Sequence, residues 1–499
     1  MTRIPLLVGS RIAIVNADED AAVLTPPPPR EAIADVAAAV RDALRFPLAG
    51  EPLEALVPRG GRATVVVEPP ALPIPWAPAD PRQAAIAATV GELERAGIPT
   101  ETQTILVAGG LQRRAGRREV ETLVDPELAR RFRGRVEVHD AESPELVPVP
   151  TDLGAESHVH RALVETDIVV TVTAAETVLH GGPGALIGAA NADLIRAGGA
   201  NSLLETAASH GWENAVALER ALGRRAPVIG TSIVLTLPRL SGALGGYPYE
   251  AESLERVVRS PLRHLHATLP GSLRERVLRS MSVTRGVSAA YAGPPSVAHA
   301  EALLRGTEER ARALGEPLDA ICLGVPATSP YLPRERPNPL LAAYIGLGFA
   351  LRLWRDSFPV ADGGTAILVH PFDRRFAHPS QQPYREFFRS VRVGTARDGG
   401  LVREAEAQAA ENSKAIESYR SGRAHHPLLP FADWSACQPA LDRLGSVLVA
   451  GCRDHDAARA LGFVPMHGIG PALQMAQARG AARIGFLLSP PYFPLVVRG

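Results

Sequence analysis

Short runs of β-branched and aliphatic residues recur along this chain, separated by longer stretches in which apolar positions return every three or four residues. Arg62 to Val67 (RATVVV) predicts a buried parallel strand, and Pro81 to Ala96 a helix closed by Gly97. Thr102 to Gly110 (TQTILVAGG) predicts the next strand, which turns into a loop carrying Gln112 and Arg113. The unit repeats with a strand at Arg135 to Asp140, a helical region near His158 to Val164 and a strand at Asp167 to Val172 (DIVVTV). Pro26 to Pro29 predicts a stiff polyproline linker, followed by an amphipathic helix from about Glu31 to Leu44.

A second alternation follows. Helix-like sequence at Ser296 to Leu314 precedes strand Asp319 to Val325, an alanine-leucine helix at Pro339 to Trp354 and strand Thr365 to Pro371. Residues 372–434 are polar, with His425 and His426 clustered, and predict helices with an irregular surface connection. Strand Ser446 to Gly451, two helices and the strand RIGFLLS complete the chain. The expectation is two α/β domains with a cleft between them, residues 1–275 and 276–499. In such sheets ligands sit beyond the carboxyl ends of strands, which puts the loops around Glu68, Gln112 and Gly182 at one site.

The stretch after DIVVTV is dense in glycine: His180, Gly181, Gly182 and Gly184 lie between a strand and small, helix-compatible residues. Backbone N–H groups at such a turn can approach an anion, so Gly181, Gly182 and Gly184 are the candidate cofactor-binding residues. The same pattern also serves where the chain simply reverses tightly, and Gly182, Gly184 and Gly188 fit no strict dinucleotide fingerprint.

Composition narrows the classes. The chain of 499 residues is 46% hydrophobic and 21% charged, as a soluble globular protein is. Its net charge of zero argues against a nucleic-acid or membrane-surface partner. Cys322, Cys437 and Cys452 are far apart and unpaired in pattern, so reduced thiols and a cytoplasmic location are expected and a cysteine-built metal site is not. Lys414 is the one lysine among 53 basic residues. No GxSxG elbow is present, and a Walker GK[ST] is impossible without lysine at the glycine turn. The His158/His160 and His264/His266 pairs both look helical, which points their rings apart and favours surface or helix-end roles over metal ligation.

The order of motifs resembles the nickel-dependent lactate racemase (LarA-like) family of 2-hydroxyacid racemases and epimerases. The resemblance lies in VVVEPP, ILVAGGLQRR, HDA followed by RALVETDIVVT, HGGPGAL and ARALGFVPMHGIGPALQMA, and it spans most of the chain. It implies two α/β domains acting in the cleft between them, with a nickel pincer nucleotide as cofactor. It also implies residues that this chain lacks. Leu72 stands at about the place of the family's carboxylate-gripping arginine, and Gln112 at that of its acid/base histidine. Gly184 falls on the tethering lysine, Ala174 and Gly199 on nickel histidines, and Ala343 and Gly346 on a glutamine and a lysine of the second domain. The tether and ligands of the cofactor are therefore not retained, and no metal ligands are assigned.

Three readings follow. The first is a family member that has lost the tether and acid/base residues but can still bind a nucleotide or a small organic acid such as a 2-hydroxy acid. The second is an active 2-hydroxyacid racemase or epimerase holding its cofactor non-covalently, with Gln112, Arg113, His180 and His370 as the candidate catalytic residues. The third is a non-catalytic interaction protein.

Overall fold

The computed structural model of the protein describes residues 2–18, 21–69, 80–152, 156–241, 244–280, 283–327, 336–376, 378–391 and 395–498. The valine-rich runs are the centres of two six-stranded sheets. In the first, strands lie in the order Val287–Gly293, Val228–Leu235, Ile168–Ala174, Ala63–Val67, Gln103–Val107 and Arg135–Val138. All pairs are parallel except the first, which is antiparallel. Ala63–Val67 and Ile168–Ala174 are buried along their whole length, as parallel strands covered on both faces must be.

The second sheet is wholly parallel, in the order Val464–Met466, Ser446–Ala450, Val360–Val369, Leu318–Gly324, Ile484–Leu487 and Ala22–Leu24. The mixed α/β class is as expected. The sheets, however, do not part at residue 275. Val287–Gly293 completes the first sheet, and Ala22–Leu24 pairs with Ile484–Leu487 at the far edge of the second. An unanticipated hairpin, Thr2–Val8 with Arg11–Ala17, packs Ile4, Leu6 and Val15 onto Cys322, Ile367 and Leu448 of that second sheet.

Two expected helices change character. The region near His158 to Val164 is a strand, Glu156–Val159, paired with Val147–Pro150 and followed by a short 3₁₀ turn that the His160 side chain caps. The expected helix from Pro339 to Trp354 is α-helical only over Pro339–Ala343; it widens to a π-helix at Tyr344–Phe349 and tightens to 3₁₀ at Ala350–Arg352. The cause is close packing and a buried cation. A Cβ on Gly346 would lie 2.6 Å from Leu368, and one on Gly348 3.3 Å from the Ala436 backbone. Arg352, 2% exposed, donates to the carbonyls of Gly348, Ala436, Asn201 and Ala200. No helix among the described residues is long and apolar enough to cross a membrane.

Candidate functional site at the carboxyl edge of the first sheet

Three strands of the first sheet deliver their following loops to one place. Glu68 follows Ala63–Val67, and its Oε2 accepts the Gly181 N–H at 2.6 Å. Thr173, on Ile168–Ala174, accepts the Gly182 N–H at 2.8 Å, and the Gly184 N–H turns back onto the Gly181 carbonyl at 2.9 Å. The Gly110 N–H reaches the Gly188 carbonyl at 3.0 Å. His180, Gly181, Gly182 and Gly184 thus meet Glu68 as expected, but the donors of the glycine turn are already engaged within the protein.

The glycines are required by geometry. Gly181 and Gly182 have φ of +97° and +52°, where side chains are disfavoured. The hollow they leave is filled by His299 from helix Pro295–Arg310: a Cβ on Gly182 would lie 2.3 Å from the His299 Cβ. His299 donates from Nε2 to the Thr177 carbonyl at 2.9 Å, so its Nδ1 accepts the Ser232 hydroxyl at 3.1 Å, and its ring stacks on Trp212. Burial pushes its pKa down to about 4, which keeps it neutral. His180 is pinned nearby, its Nδ1 3.1 Å from the Thr177 hydroxyl, and burial again lowers its pKa. The helix after the turn, Gly184–Ile187, has only four residues.

Beside the turn lies a buried charge cluster that no local sequence pattern announces. Arg82 is 3% exposed and pairs with Asp80 at 2.8 Å and Glu176 at 3.0 Å; Arg285 reaches Glu176 at 3.4 Å. Arg310 donates to the Ala175 carbonyl at 3.1 Å. Burial raises the Glu68 carboxyl to about 8, against the opposing pull of the Gly181 N–H and Arg82. Near neutral pH Glu68 is therefore held mostly protonated, beside the Arg82 guanidinium and Glu176. These residues come from segments some 200 positions apart, so no local spacing marks them.

The loop carrying Gln112 and Arg113 is sealed by the second half of the chain. The Arg113 N–H donates to His425 Nδ1 at 2.9 Å, and its guanidinium holds Glu119 at 2.6 Å and the Gly422 carbonyl at 3.3 Å. Gln112 is half-buried, and among the described residues its side chain has no hydrogen-bond partner. His425 and His426 do not lie on a surface connection: they are 2% and 0% exposed, and His426 Nε2 bonds Glu142 at 2.9 Å. Tyr419 donates to the Gly110 carbonyl at 3.0 Å and accepts the Ala141 N–H at 3.1 Å. Tyr419→Phe leaves the buried Ala141 N–H and the half-buried Gly110 carbonyl without that partner and is expected to lower stability by about 1–3 kcal/mol. Urea unfolding midpoints check this, and an unchanged midpoint would mean that the contact adds nothing.

The remaining candidates lie elsewhere. His370 ends strand Val360–Val369 of the second sheet and lines a cavity that includes no residue of the glycine turn. Asp373 pairs with Arg375 at 3.0 Å. His158 and His160 flank the end of a strand rather than riding a helix, whereas His264 and His266 do lie on helix Pro261–Thr268. Lys414 is exposed on helix Ser413–Arg420. Leu72 lies outside the described residues. Among the described residues no three His, Cys, Asp or Glu side chains gather as a metal ion would need.

Comparison with known proteins agrees with this layout. Residues 10–198 match the family described as the lactate racemase N-terminal domain. No curated protein sequence matches. Among solved structures, the lactate racemase apoprotein from Thermoanaerobacterium thermosaccharolyticum is similar over 100% of both chains, with a TM-score of 0.61 at 15% identity. A protein from Thermotoga maritima covers 94% of this chain with 100% of its own, with a TM-score of 0.51 at 13% identity. Residues 10–198 thus match the lactate racemase N-terminal domain in sequence, and the whole chain is similar in fold to the lactate racemase apoprotein.

Proposed function

We propose that this LarA-like protein binds a small organic acid of the 2-hydroxy acid class at the carboxyl edge of its first sheet, without the covalently tethered nickel pincer nucleotide. The observation that carries the reading is the packing of the glycine turn. A Cβ on Gly184, the position corresponding to the family's tethering lysine, would lie 2.7 Å from the Leu179 carbonyl, and His299 occupies the space over Gly181 and Gly182. The residues present do not fit the tethered group: the turn admits no side chain, and Lys414 is on an exposed helix. No step is derived through that cofactor.

The choice of ligand class rests on charge. Arg82 and Arg285 converge on Glu176, and Glu68, raised to about 8, is a protonated carboxyl able to donate to a hydroxyl or carboxylate. A 2-hydroxy acid supplies one negative charge and one hydroxyl, which matches that set. Glu68 also supports the second reading, an isomerase with a non-covalently held cofactor, since a carboxyl titrating at about 8 can exchange a proton near neutral pH.

Calorimetric titration with each lactate enantiomer tests the binding. Saturable binding is expected, weakened roughly tenfold or more in Arg285→Gln, because hydrogen bonds to charged groups contribute about 1.5–3 kcal/mol. In parallel, the protein incubated with nickel pincer nucleotide and one lactate enantiomer is expected to leave optical composition unchanged and to carry no nucleotide adduct. Protein-dependent interconversion with a covalent adduct would overturn the reading. Interconversion without an adduct would establish the second one, and absence of lactate binding would remove the ligand class.

A further inference from the structure

The second sheet carries its own cavity, of about 610 Å³, at the carboxyl ends of Leu318–Gly324, Val360–Val369 and Ser446–Ala450. Open α/β sheets bind ligands beyond the carboxyl ends of their strands, and three such ends meet at this cavity. The turn of the N-terminal hairpin and the start of helix Gly271–Ser280 close the far side.

The lining is strongly basic. Five arginines face two carboxylates, and both carboxylates are engaged: Glu275 by Arg336, Asp373 by Arg375. That leaves Arg11, Arg274 and Arg453 with no carboxylate partner among the described residues. Arg274 is the telling one. It is 8% exposed, its Nε reaches only the Ser10 hydroxyl at 3.4 Å, and its Nη1 donates to the carbonyls of Ala267 and Leu269. Burial, with Arg11 and Arg336 pressing from nearby, lowers its pKa against the opposing pull of Glu275. Glu275 is itself taken by Arg336, so the positive charges around Arg274 outweigh the negative, and an anion in the cavity relieves that excess.

His370 adds a neutral donor. Its Nδ1 accepts the Phe372 N–H at 3.1 Å, which puts its proton on Nε2, and burial pushes its pKa down to about 3. We propose that this cavity binds a small organic phosphate, the dianionic group held among Arg274, Arg11 and Arg453 with His370 Nε2–H as a further donor. Three surplus positive charges favour a dianion over a monocarboxylate, since a phosphate monoester carries about −1.5 to −2 near neutral pH. The volume leaves room beside the phosphate for the organic part of such a ligand.

Calorimetric titration of the full chain with glycerol phosphate, in chloride buffer, tests the site, with lactate as the monocarboxylate control. Saturable binding of glycerol phosphate is expected, and the Arg11→Ser/Arg453→Ser double variant should weaken it about tenfold or more. Both side chains are exposed, so the unfolding temperature of that variant should stay close to wild type. Arg274→Gln should abolish binding, and lactate affinity should be the same in the double variant as in wild type. The proposal is overturned by absence of saturable binding, by equal binding in the double variant, or by a lactate affinity that falls together with that for glycerol phosphate.

Discussion

Gly182→Val is expected to destabilise the protein by roughly 3–6 kcal/mol, combining a side chain forced to positive φ with overpacking of a filled hollow. The backbone φ of +52° disfavours a β-branched residue, and the new Cβ would lie 2.3 Å from the His299 Cβ and 3.0 Å from the Pro295 carbonyl. His299→Ala should not rescue it, because the clash is with the Cβ that alanine keeps. Gly199→Ala is the control: its Cβ meets nothing within 4 Å and its φ is not positive, so a change within about half a kcal/mol is expected. Denaturant unfolding decides. A Gly182→Val midpoint near wild type would mean the turn can open, and its N–H groups would again be candidates for holding an anion.

Stability should peak near pH 6.5 and fall steeply toward acid. His139, His370 and His425 are pushed down to about 3 and His299 to about 4, all by burial. Below about pH 6.5 the unfolded chain protonates these rings while the folded chain does not, so their contribution is complete above that pH and is lost on acidification. Each can contribute a slope of up to about 1.4 kcal/mol per pH unit.

Glu68 and Glu219 act in the opposite sense. Burial raises them to about 8 and about 7, so between pH 4.5 and those values the unfolded chain is the one that ionises, and stability declines as pH rises. Net of these carboxyls, a loss of roughly 3 kcal/mol per pH unit below pH 6 is expected, enough to unfold a domain of ordinary stability within a few units. Urea midpoints across pH 4 to 9 check the profile, and Glu68→Gln should flatten its alkaline side. An optimum above pH 8 would contradict it.

The strands were legible because buried parallel strands need unbroken apolar runs, and ATVVV, IVVTVTA and SVLVA supply them. ESHV carries no such run, and the HxH spacing that begins in it is compatible with either helix or strand, so nothing local marks that strand. The glycine turn was legible as a turn. What fills it was not, since His299 is over a hundred positions away and reads as one polar residue within a helix. The charge cluster escaped for the same reason: Arg82, Glu176, Arg285 and Arg310 each look like ordinary charged residues until the topology gathers them. The polar segment around His425 and His426 predicts a surface connection, yet the two histidines bond Leu111, Arg113 and Glu142 of the opposite half, and Tyr419 bonds Gly110.

The pairing of Ala22–Leu24 with Ile484–Leu487 sets an order on synthesis. Ala22–Leu24 cannot find its sheet partner until Ile484–Leu487, hundreds of positions later, has been made, so that strand and the hairpin before it wait while the first sheet can already form. During that wait Ile4, Leu6 and Val15, later covered by the second sheet, stand open to other chains. Truncating the carboxyl terminus before Ile484 would therefore release the opposite end of the molecule as well.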